Sequence, residues 1–184
     1  MSETRNQHPS ISSATRQRSR RVLCLTLSAL ALLGAVSICF ANRQIVIDTS
    51  PSVTPGLYVR SSASPAVGQM VEFRIPDCVR SYIRSRTGRD GQDWYILKPV
   101  AAGPGDRVDT TQGELRINNR FIAPMPPMQD GFGNPLPHWT QDHVLARNEF
   151  FVFSGRITNS FDSRCYGPVT RDKIESVRRP LITW

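Results

Sequence analysis

Lysine is almost missing from this chain. Of its 23 lysine and arginine residues, only Lys98 and Lys173 are lysines. Histidine is also scarce, limited to His8, His138 and His143, and the cysteines are Cys24, Cys39, Cys78 and Cys165. No spacing among these residues suggests a metal site, so neither a metal nor another cofactor is expected. His138 and His143 read as loop residues rather than members of a Ser-His triad. Two cysteines fall inside an apolar run, which leaves Cys78 and Cys165. That pair permits one disulfide in an oxidising compartment, not a framework of them, and nothing in the sequence brings the two together. No internal repeat is visible.

One long apolar run is present. Residues 22–40 carry no charge, and at about 1.5 Å rise per residue they nearly span a ~30 Å hydrocarbon core. Signal-peptide apolar cores are shorter, about 7–15 residues, so a retained anchor is expected rather than a cleaved leader. Half of the formal net charge of +8 lies in residues 1–21, through Arg5, Arg16, Arg18, Arg20 and Arg21 against Glu3. A basic tail before an anchor reads as a positive-inside signal: the tail stays cytoplasmic and the rest crosses. The remaining charge is mild, and nucleic acid is not expected as a partner. Three segments follow: a disordered basic tail (1–21), a transmembrane anchor (22–40) and an exported domain (41–184).

Within 41–184, strands are expected at 44–47, 56–59 and 68–73, where apolar residues alternate or cluster next to turn residues. Residues 76–88 place Val79, Tyr82 and Ile83 at helical spacing, which predicts a short amphipathic helix ending near Gly88 and Gly91. Extended structure resumes at 94–100, and Gly103-Pro104-Gly105-Asp106 is a strong turn signal. Short strands are expected at 107–109, 115–117 and 120–122, loop over 123–140, and a strand at 149–154. Residues 159–168 read as a polar turn, and 169–177 as holding one short helix. The class implied is mostly β: antiparallel sheets with one or two short helices behind a single membrane helix.

Lys98 lies in an apolar stretch, Trp94-Tyr95-Ile96-Leu97-Lys98-Pro99-Val100. A buried lysine can lose its proton, whereas arginine cannot, so a lysine placed here in an arginine-using chain suggests chemistry. A serine beside a neutral lysine makes a nucleophile–base pair that needs no histidine. The candidate serine lies in Ser52-Val53-Thr54-Pro55-Gly56-Leu57-Tyr58, about a dozen residues beyond the apolar run. Gly105-Asp106 follows the lysine, and Asn159-Ser160-Phe161-Asp162-Ser163-Arg164 comes later.

In this order the motifs resemble the type I signal peptidase family of serine proteases, and especially its conjugative-transfer branch, the TraF-type peptidases. The resemblance implies a signal-peptidase-like β domain with Ser52 as nucleophile and Lys98 as general base. It implies an oxyanion role for the Ser50 hydroxyl, an orienting role for Ser160, and a supporting ion pair of Asp162 with Arg164. It also implies a serine endopeptidase in the bacterial inner membrane, single-pass, with its catalytic domain in the periplasm. The expected substrate is a membrane-inserted precursor cut after small residues at the first and third positions before the bond. The branch points to a conjugative pilin subunit, with membrane lipid and conjugation (type IV secretion) components as further partners. The acyl-enzyme is open to water or to the substrate's own N-terminal amine, which would close a ring; the residues leave the two open. Two rivals stand beside this reading: a general signal peptidase for secreted preproteins, and a non-catalytic subunit of a secretion channel. Trp94, Trp139 and Trp184 are expected in packing rather than against substrate, and Lys173 in solvent.

Overall fold

The computed structural model describes residues 13–88 and 94–184. The chain divides between Gln44 and Ile45. The first part is one helix, α1 (Ser13–Ala41), whose stretch from Arg16 to Ala41 is long and apolar enough to cross a membrane. Its leucines, such as Leu25 and Leu32, are exposed. Helix therefore replaces the expected disorder over 13–21. Arginine, glutamine and alanine are good helix formers, and lengthening an existing helix needs no new nucleus. Residues 1–12 of the expected tail, and Gly91 as a helix end, lie outside the described residues.

The second part is mostly antiparallel β. Its strands are β1 (Ile45–Asp48), β2 (Gly56–Ser61), β3 (Met70–Arg74), β4 (Tyr95–Ala102), β5 (Arg107–Asp109), β6 (Glu114–Ile117), β7 (Arg120–Pro124), β8 (Asp142–Val144), β9 (Glu149–Val152), β10 (Val169–Thr170) and β11 (Ile174–Thr183). Seven form one sheet in the order β1-β2-β11-β3-β4-β9-β10, and four form a second, β7-β6-β5-β8. The helices are α2 (Arg80–Thr87), entered through a 3-10 turn at Asp77–Val79, and the four-residue α3 (Ser163–Tyr166). Gly88, left-handed at φ 67°, ends α2 and donates its N–H to Arg84 O, as glycine C-caps do. Asn118 and Asn119, with φ of 50° and 65°, make the tight turn between β6 and β7.

The sheet is buried where α2 and α3 cover it, through Val71, Phe73, Ile83, Val152, Tyr166 and Val177. A second core joins the small sheet to the β4–β9 pair through Val108, Leu115 and Phe151. The third and smallest, Val53, Tyr58 and Leu97, lies under the Ser52 loop.

Two expectations are corrected. Residues 169–177 hold only a 3-10 turn, Arg171–Lys173, between two strands, and β11 runs on to occupy the interior of the large sheet. Its alternation is masked because it buries Ser176 and Arg178, which both donate to the Glu72 carboxylate on β3. Residues 159–168 are no solvent-facing turn: they contain α3, and Ser160, Asp162, Ser163 and Arg164 are all buried.

Candidate active site

The loop between β1 and β2 carries Ser50 and Ser52. Asp48 orders its start, accepting from the Ser50 backbone N–H (2.7 Å) and from Ser50 Oγ (2.6 Å). Its far end is pinned in three ways. Tyr58 donates its hydroxyl to Thr54 O, Trp184 N–H donates to Pro55 O (3.1 Å), and Ser154 Oγ donates to Ser52 O. These contacts explain the Gly-Leu-Tyr run physically. A Cβ on Gly56 would meet Ile182 O at 2.4 Å, so glycine lets β11 approach, and Tyr58 reaches back to brace the loop.

Lys98 projects from β4, and a hydrogen bond joins its Nζ to Ser52 Oγ. Ser50 Oγ lies 3.3 Å from the same oxygen. Both Ser52 and Lys98 are buried. Burial pushes the Lys98 ammonium below its ordinary pKa of 10.5, while the Asp162 and Asp48 carboxylates pull it back only in part. Beside the pair lies a cleft of about 260 Å³ lined by Ile75, Ile83, Trp94, Ile96 and Phe161. β3 pairs with β4 from Tyr95 to Pro99, whereas β9 takes the opposite edge only at Val100 and Ala102. Among the described residues, the 95–98 stretch of that edge has no partner strand.

Asp162 and Arg164 form a two-pronged ion pair, with Nε and Nη2 each 2.9 Å from a carboxylate oxygen. Arg164 also donates to Pro124 O (2.8 Å) and lies 4.7 Å from the Phe153 ring centre. Asp162 caps α3 by accepting the Arg164 N–H and takes the Ser154 N–H at 3.4 Å. Through Ser154, the pair is thus linked to the carbonyl of Ser52. Ser160 Oγ is fully buried and has no hydrogen-bond partner among the described residues.

The structure therefore brings together Ser50, Ser52 and Lys98. It seats Asp162 and Arg164 behind them and leaves Ser160 unpaired. His143 bonds Glu149 and His138 bonds Pro127 O, so neither is spent on Ser52. Trp94 lines the cleft. Asp48 and Ser154 were not expected. Asp48-Thr49-Ser50 does carry the local signal of a carboxylate bonding the backbone two residues on, whereas Ser154 meets its partner 102 residues away and has no local signal. The cysteines are free, Cys78 exposed and Cys165 buried. Burial, with Asp162 nearby, pushes the Cys165 thiol up to about 12.

A serine hydroxyl bonded to a buried amine at the wall of an open cleft is the equipment of a hydrolase that works without histidine. The chain belongs to the signal peptidase family, peptidase S26, whose family profile matches residues 18–183. Among known proteins it is similar to two plasmid transfer proteins TraF of Escherichia coli. One is 32% identical over 85% of this chain and 91% of its own length, the other 32% identical over 89% and 99%. A conjugal transfer protein TraF of Agrobacterium tumefaciens is 28% identical over 91% of this chain and 98% of that protein. Among solved structures, a signal peptidase I of Enterococcus faecalis overlaps 64% of this chain and 98% of its own, at 17% identity and a TM-score of 0.35.

Proposed function

We propose that this chain is a membrane-anchored serine endopeptidase in which Ser52 is the nucleophile and Lys98 the general base. The observation that carries the reading is the hydrogen bond between Lys98 Nζ and Ser52 Oγ, inside a cleft whose burial disfavours the ammonium form. Neutral Lys98 takes the Ser52 hydroxyl proton as Oγ attacks the scissile carbonyl. The new Oγ–C bond forms, and the C–N bond breaks as Lys98 returns that proton to the leaving amine. Water, or the substrate's own N-terminal amine, then attacks the acyl carbon while giving a proton to Lys98; the Oγ–C bond breaks and Lys98 returns that proton to Ser52 Oγ.

On this reading the Ser52 N–H and the Ser50 hydroxyl, which lies 3.3 Å from Ser52 Oγ, donate to the developing oxyanion. Such a donor contributes about 2.7–4 kcal/mol. A hydroxyl has one proton to give, and that of Ser50 is held by Asp48 in the free enzyme. Ser50 therefore has to turn from Asp48 to the oxyanion during the reaction. Ser160, buried and unpaired, is free to accept an N–H from Lys98 and aim its lone pair.

An extended substrate adds along the edge of β4 opposite β3, as peptides do at open sheet edges. Small side chains at the first and third positions before the bond then face the cleft. The likeness to plasmid transfer proteins favours a conjugative pilin precursor over general preproteins. The domain beyond α1 lies on the periplasmic face of the inner membrane on this reading.

Ser52→Ala, Lys98→Ala and Lys98→Arg are each expected to abolish precursor processing, the last because it keeps the charge and removes the titratable base. Processing at the wild-type level in Ser52→Ala and Lys98→Ala sinks the pair and leaves a non-catalytic assembly role. Rescue of a strain depleted of its signal peptidase would favour the housekeeping reading over pilin. Mass spectrometry of the mature pilin decides the last step, since a ring is lighter than the linear product by one water.

A further inference from the structure

The cleft does not stop at Trp94. A second cavity, of about 360 Å³, shares Ile83, Trp94 and Phe161 with the one that holds Ser52 and Lys98. Its outer wall is a turn at residues 130–134, fastened to α2. The Asp130 carboxylate accepts from Arg86 (2.6 Å), from the Tyr82 hydroxyl (3.0 Å) and from the backbone N–H groups of Phe132 (2.8 Å) and Asn134 (3.1 Å). Burial alone would raise its pKa, but these bonds outweigh it and hold the carboxyl well below the usual range.

Two consequences follow for what the cavity can hold. Among the described residues that line this wall the one cation, Arg86, is already neutralised by Asp130, so that lining does not favour an anion. The fastened turn also fixes Phe132 at the rim, 79% exposed, with the Arg86 guanidinium 4.4 Å from its ring centre. An aromatic ring held in water over a floor of Ile83, Leu136 and Phe161 presents apolar surface to an incoming group.

We infer that this cavity is a specificity subsite that takes a large apolar side chain at the fifth residue before the scissile bond. The inference rests on the Ser52/Lys98 reading above. Trp94, just before β4, lies four residues from Lys98, about 13 Å at ~3.3 Å per residue, and an extended substrate on that edge keeps the same pace. Alternate side chains share a face, so the residues that face the cleft are the first, third and fifth before the bond. The fifth arrives just beyond Trp94, where the second cavity opens. It belongs to the half before the bond because that half remains esterified to Ser52 and has to be held until deacylation, whereas the other half departs.

The test uses the full chain in detergent micelles and paired fluorogenic peptides with seven residues before the bond and three after. Both peptides carry alanine at the first and third positions before the bond, and they differ only in leucine or glycine at the fifth. The wild type is expected to favour the leucine peptide in kcat/KM by about 10-fold or more, the scale of one apolar side chain in a pocket. Thr87→Trp, which fills the cavity, and Phe132→Ala, which removes its rim, are expected to bring that ratio down to about 3-fold or less. The ratio is read within each variant, so a loss shared by both peptides does not count as a change. A ratio near one in the wild type overturns the subsite, as does a ratio that both variants leave unchanged. So does a leucine preference found only at positions after the bond. Those results leave the dyad standing if Ser52→Ala is inactive on the glycine peptide. If the wild type cuts neither peptide, or if Ser52→Ala cuts as well as wild type, the dyad reading falls and takes the subsite with it.

Discussion

The burial that fits Lys98 for its proposed role as a base lowers stability, and the sign can be worked out. Its pKa is lowered in the folded state, so between that value and the ordinary 10.5 the unfolded chain binds the extra proton. Stability then rises with pH through this window, and the full penalty applies below it. Lys98→Met is expected to be inactive yet to melt higher than wild type. The gain should be largest at low pH and vanish as the pH approaches 10.5 in thermal scans. Wild-type activity should rise with pH and level off below the ordinary lysine value, because only the neutral amine is a base. Ser160 offers a second separation of roles. A buried hydroxyl without a partner costs about 1–3 kcal/mol, so Ser160→Ala should leave the melting temperature unchanged or raise it. If Ser160 aims Lys98, kcat nonetheless drops about 10-fold or more, within the range assigned to a positioned base. Unchanged kcat would make Ser160 a packing residue only. Lys98 was legible because it is chemically out of place among arginines and apolar neighbours. The unsatisfied state of Ser160 was not, since it depends on what else surrounds that oxygen.

At the scale of the element, the Ser52 loop depends on β11. Gly56→Ala forces a Cβ to 2.4 Å from Ile182 O, a backbone atom that cannot swing aside. Overpacking of this kind typically costs about 1–3 kcal/mol. Chemical denaturation should report that loss, and kcat should fall with it as the loop shifts. The buried Glu72–Arg178 pair ties β3 to β11. Glu72→Ala is expected to lose about 3–5 kcal/mol, the usual result of breaking a buried ion pair by removing one partner. Strands such as β3 and the β6–β7 hairpin could be read from alternation and turn residues, which are local signals. β11 and α3 could not. Their burial comes from partners about a hundred residues away for β11 (Glu72 for Ser176 and Arg178) and 40 residues away for α3 (Pro124 for Arg164). Polar residues that satisfy each other inside a core look like surface residues in a sequence.

On the scale of the whole molecule, α1 predicts behaviour that the β domain alone should not share. The full chain is expected to need detergent for extraction, whereas residues 45–184 should be soluble once separated. On the proposed orientation, protease added to spheroplasts should digest the β domain and spare a tag at residue 1. The reverse pattern would invert the topology. Thiol labelling of the folded chain adds a check on packing: in the β domain Cys78 should react and Cys165 should not, until denaturant exposes it. The mostly-β class and a long apolar helix near the start of the chain were legible in composition and patterning. The order of strands was not, because β11, the last in the chain, lies between the second and third.

That placement bears on when the proposed activity can first appear. The strand that closes the large sheet, and the Trp184 N–H that pins Pro55, are the last described parts of the chain to leave the ribosome. A nascent chain stalled with residues 174–184 still in the exit tunnel should therefore leave its substrate uncut. Release of those residues should switch cleavage on, so that on the proposed function activity waits for β11 to enter the sheet rather than for the strands that carry Ser52 and Lys98.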